Sequence, residues 1–67
     1  MDTNEATGIA KEYLEKVGYS ADTTRLVKHN PYPNLGSWEF TFEAGNKSIE
    51  INVDKQGGIT KFIAEEK

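Results

Sequence analysis

Few side chains in this chain have types and spacing that could do chemistry. His29 is the only histidine. A general base needs a neighbouring nucleophile or orienting group, and no Ser or Cys motif adjoins His29, so it reads as a surface histidine. Glu39, Glu43, Glu50 and Asp54 could in principle supply a carboxylate pair for acid–base work. They alternate with apolar residues, however, and that places them on the wet face of a sheet. No Asp-x-Asp-x-Asp-Gly spacing supports calcium. Trp38, Phe40 and Phe42 could stack bases, yet the same alternation commits them to a core. Gly57-Gly58 lacks the Lys-Ser or Lys-Thr of a phosphate loop and the helix that should follow. No catalytic, cofactor-binding or metal-binding residue is assigned.

What remains is contact chemistry. Tyr32 lies between Pro31 and Pro33, and an aromatic held in a rigid loop is either an anchor for a partner or a cover for the open end of the core. Leu35 occupies a similar position. Phe62 joins them if it faces the wet side of the last strand. These three are the candidate partner contacts.

Composition narrows the classes further. Sixty-seven residues make one domain, and a chain of this length buries only about 60% of its unfolded surface. There is no cysteine, so neither a disulfide nor a thiolate site supports the fold. The formal net charge is −3, from eight Lys and Arg against eleven Asp and Glu. The basic residues are scattered, which argues against a nucleic-acid surface. No apolar run approaches membrane-spanning length, so membrane insertion is not expected. The opening Met1-Asp2-Thr3-Asn4-Glu5 is acidic and polar, unlike a signal peptide. The expectation is a cytoplasmic protein or a domain cut from a longer exported chain.

The elements that position these residues are easier to read. Ala6, Ile9, Ala10, Tyr13, Leu14 and Val17 recur at helical spacing. Thr3 or Asn4 can cap the helix, and Gly18-Tyr19 suits a Schellman stop. The spacing predicts a helix over about 4–17. Gly8 inside it reflects either close approach to the sheet or simple tolerance. Residues 23–30 are β-prone with poor alternation, as suits an edge strand, and 30–36 read as a loop. Ser37 to Asp54 alternates strictly on both sides of Gly45-Asn46. A two-residue type II′ turn there sets Phe42 opposite Ile49, Phe40 opposite Ile51 and Trp38 opposite Val53. Strands are thus predicted over about 37–44 and 47–54.

Lys55 to Gly58 make a second turn into a last strand over about 59–64. Its facing is open. If Asp54 pairs with Gly58, Ile59 and Ile63 join the core and Phe62 points out, which the turn chemistry slightly favours. A longer loop reverses this, and a bulge would serve both. The predicted architecture is α+β: one N-terminal helix packed on a four-stranded antiparallel meander, a two-layer sandwich. Arg25, Lys28 and His29 on the first strand discourage open-ended pairing, so a monomer is expected; the alternative is a structural domain that self-associates through an exposed edge.

The helix pattern Ala-x-x-Ile-Ala-x-x-Tyr-Leu, its Gly-Tyr end, Trp-x-Phe-x-Phe, and Ile51, Val53, Asp54, Gly57 and Ile59 in Ile-x-Val-Asp-x-x-Gly-x-Ile together resemble the PepSY domain. The resemblance runs over about residues 4–64 and departs from the pattern at Gly58. It implies a small non-catalytic bacterial module of secreted-peptidase propeptides and of envelope or spore proteins. Such a module would inhibit or chaperone a peptidase or contact an envelope protein, in an extracytoplasmic or secreted setting.

Overall fold

The computed structural model describes residues 1–67. One helix, α1 (Thr3–Lys16), packs on a sheet of four antiparallel strands. The strands are β1 (Thr24–Tyr32), β2 (Ser37–Ala44), β3 (Lys47–Asp54) and β4 (Ile59–Glu66), and they lie in the order β1-β2-β3-β4.

α1 starts one residue earlier than expected because Asp2 caps it. The Glu5 amide donates to Asp2 Oδ1 at 2.8 Å, satisfying a donor that the helix leaves unpaired. The helix ends as a Schellman motif. Gly18 sits at φ +103°, its amide donates to the Glu15 carbonyl, and the Tyr19 amide reaches back to Leu14 at 2.9 Å. Of the apolar stripe, Ala6, Ala10 and Leu14 are fully buried, while Ile9 and Tyr13 pack at its margin. Val17 was expected on the stripe but is exposed, because it is the cap residue where the chain leaves the helix. Gly8 faces solvent, with nothing within 4 Å of where a Cβ would stand. It is therefore tolerated, and no close approach to the sheet explains it.

The β2–β3 hairpin takes the expected register. Trp38 pairs with Val53, Phe40 with Ile51 and Phe42 with Ile49. All six are buried and, with Ala6, Ala10 and Leu14, they form the core. Gly45 has the left-handed φ of +61° that the first central position of a type II′ turn requires. Trp38 Nε1 is buried without a hydrogen-bond partner, a local cost set against the area its ring buries.

β1 is longer than expected and contains a bulge. Leu26 pairs with Phe42 and Lys28 with Thr41, so Val27 is an extra residue without a partner. The bulge inverts the facing of everything after it. His29 pairs with Phe40 and Pro31 with Trp38, so both lie on the helix side of the sheet. The segment 30–36, expected as a loop, is strand through Tyr32 and then a 3-10 turn over Pro33–Leu35. Pro31 is accommodated because β1 is an edge strand and needs no donor on its outer side.

β4 resolves the open facing with a second bulge. The Asp54 amide donates to the Gly58 carbonyl at 2.9 Å and Val53 pairs with Ile59, as the short turn requires. Asn52 then pairs with Lys61, leaving Thr60 as the extra residue. Beyond it Phe62 pairs with Ile51 on the core side and Ile63 with Glu50 on the outer side. The expectation of an outward Phe62 with both isoleucines inside is thus corrected. One bulge brings in Ile59 and Phe62 and turns Ile63 out.

Candidate protein-binding surface

The outer face of the sheet is a lattice of paired charges. Glu43 lies between two cations: Arg25 Nη2 at 2.8 Å and Lys67 Nζ on its other oxygen. The hydrogen bonds from Lys67 and then Arg25 hold the Glu43 carboxyl below the ordinary carboxylate range. Lys61 Nζ reaches Glu50 at 3.1 Å. Asp54 does a different job. Its Oδ1 accepts from the Gln56 amide at 2.9 Å and the Gly58 amide at 2.8 Å, which shapes the turn leading into β4. Gly57, at φ +84° in that turn, could not carry a side chain without strain. The Val-Asp-x-x-Gly stretch is therefore a turn-forming device. No three His, Cys, Asp or Glu side chains converge as metal ligands would.

His29 stacks against Phe40 with 6.5 Å between centroids and remains exposed. Two of the surface concavities bear on the apolar and outer faces of the sheet. One lies between the end of α1 and β1 and is lined by Leu14, Tyr19, Leu26 and Phe42 among others; it holds about 140 Å³. That is less than half of the roughly 300 Å³ at which ordinary ligand pockets begin. The other is a shallow polar depression on the outer face, lined by Lys28, Asn30, Glu39 and Asn52 with the Glu50–Lys61 pair.

The three expected contact residues do not come together. Tyr32 ends β1 opposite Ser37, on the outer face, and is 42% exposed. Leu35, in the following turn, is 80% exposed and is the barest large apolar side chain in the molecule. Phe62 lies on β4, across the full width of the sheet and on its other face. It is half-buried and meets Tyr13 edge to face at 5.3 Å. Phe62 is thus chiefly a core element at the β4 margin.

Compared with protein-family models, curated proteins and solved structures, the chain matches none. The site must be argued from its own geometry.

That geometry singles out the free edge of β4. β4 is the last strand of the sheet, so its outward backbone N–H and C=O groups have no strand partner. From Lys61 to Glu66 it pairs with β3 without interruption and contains no proline. Ile63, at the middle of this run, is 36% exposed. In sequence this stretch is a run of three apolar residues between charges, Lys61-Phe62-Ile63-Ala64-Glu65, and its significance depends on the strand lying at an edge.

Proposed function

We propose that the domain is a non-catalytic, PepSY-like protein-binding module whose partner is a peptidase or an envelope protein. One observation carries the reading: an edge at β4 that runs from Lys61 to Glu66 without bulge or proline, with apolar side chains on both of its faces, Phe62 on one and Ile63 on the other. Such an edge accepts an extended segment as an added strand. Backbone hydrogen bonds supply affinity, and alternate side chains supply selectivity. The exposed Tyr32 and Leu35 at the opposite margin offer a second contact. The resemblance to PepSY domains is what suggests a peptidase as the partner; Asp54 and Gly57 themselves shape the turn that leads into β4.

Titration of the isotopically labelled domain with a thermolysin-type metallopeptidase tests this reading. Hydrolysis of a small peptide substrate is followed alongside the domain's amide resonances. The expected result is slowed hydrolysis with shifts concentrated in β4. Unchanged hydrolysis together with unchanged resonances would overturn a peptidase partner.

A further inference from the structure

The β4 edge complements itself, and we infer that two copies of this chain pair through it, antiparallel and centred on Ile63. The inference rests on the reading of β4 as a strand-accepting edge: self-pairing fills that edge when no partner segment does.

Antiparallel pairing of identical strands about a two-fold axis perpendicular to the sheet keeps the two outer faces on one side. Residues of like facing must therefore oppose each other. Along β4, Lys61, Ile63 and Glu65 face outward, opposite Asn52, Glu50 and Ser48, while Phe62 and Ala64 face the helix side, opposite Ile51 and Ile49. Only a few registers respect this facing. Centring on Ile63 sets Lys61 against Glu65 of the second copy, and Glu65 against its Lys61. Ile63 meets Ile63, and Phe62 meets Ala64 on the helix side. Centring one residue later would place Lys61 against Lys67 and Ile63 against Glu65. Centring one residue earlier would leave Lys61 against Ile63. Over Lys61–Glu65 the Ile63 register alone sets each charge against its opposite and each apolar residue against an apolar one.

The single chain is prepared for this arrangement. Glu65 makes no salt bridge of its own, whereas Lys61 already pairs with Glu50 and would be shared between Glu50 and Glu65 in the dimer. Ile63 and Ala64 are both exposed, although each lies within a regular strand. The pairing also closes. Each dimer consumes both β4 edges and leaves two β1 edges outside, and β1 is interrupted by the bulge at Val27 and by Pro31. Growth beyond the dimer is thereby blocked. A five-residue strand pair buries well under the ~1,200 Å² of a stable interface, so the dimer is weak and dependent on concentration.

Sedimentation equilibrium on the whole chain, with circular dichroism to verify folding, tests the inference. The wild type should pass from monomer to dimer as concentration rises. Lys61→Glu sets Glu against Glu65, and Glu65→Lys sets Lys against Lys61. Each should weaken self-association on the order of tenfold, the product of two altered cross-strand charge pairs. The double variant, and an equimolar mixture of the two single variants, should regain it, because each restores both opposite-charge pairs. A wild type that stays monomeric overturns the inference, as does equal dimerisation by all variants. A monomer whose β4 resonances still shift with the peptidase would reject only the second copy as occupant. A monomer with no such shift would reject the binding reading as well.

Discussion

The two edges of this sheet are built differently, although both belong to short strands of similar length. β1 is interrupted at Val27, carries Arg25, Lys28 and His29, and contains Pro31. Each of these discourages another strand from pairing. β4 has its bulge at Thr60, close to the turn, and then runs evenly from Lys61 to Glu66. Both bulges reverse the facing of the residues beyond them, but their positions have opposite consequences. A bulge in mid-strand spoils an edge, whereas a bulge beside the turn leaves the rest of the edge straight. The edge that can bind is therefore recognised by where its irregularity falls.

The largest expected effect contrasts an aromatic from each margin. Phe62→Ala should destabilise by about 2 kcal/mol, roughly half the 3–5 kcal/mol for a fully buried Phe, since the ring is half-buried against Tyr13. Tyr32→Ala should stay within about 0.5 kcal/mol, as for other exposed positions. Urea unfolding followed by the fluorescence of the single, buried Trp38 measures both. Equal losses would break the contrast.

Asp54→Ala comes next. It removes the acceptor of two backbone amides in the turn into β4, for an expected loss of about 1–2 kcal/mol. Amide exchange in that variant should quicken in β4 and hardly change in β1; uniform quickening would show that the turn does not act on β4 in particular. Gly8→Ala should add about 0.8 kcal/mol of helix stability, because the site is exposed and unobstructed. It should leave self-association unchanged, which separates stability from edge pairing.

The smallest effect concerns pH. The carboxyl of Glu43 is held down by Lys67 and Arg25. Its folded-state pKa lies below the unfolded value, so the linked stability is present above the unfolded pKa and is lost as pH falls through the folded one. The pairs are surface-exposed, so the effect is modest. Glu43→Gln should flatten the acid limb of urea midpoint against pH, and an unchanged limb would show that the triad contributes nothing measurable.

Much of the fold was legible in the sequence. Strict alternation around Gly45-Asn46 specified the hairpin pair by pair, and the spacing from Ala6 to Leu14 specified the helix. The two edge strands were less legible because each contains a bulge, and one inserted residue reverses every later side chain. The poor alternation read in β1 was the trace of Val27. The indecision between Ile59 and Phe62 was the trace of Thr60. Tyr32 and Leu35 are exposed, but Tyr32 ends a strand where a loop was expected, and the proposed use of β4 required its position at the sheet's edge. The expectation of a monomer was drawn from the charges of β1, and the proposed dimer depends on the other edge.

The central claim is that β4 pairs and β1 does not. Residue-resolved amide hydrogen exchange at low and high protein concentration tests it most directly. The account predicts that outward amides between Lys61 and Glu65 gain protection as concentration rises, while those of β1 keep the same rates. Protection that rises equally on both edges, or on β1 alone, would contradict it.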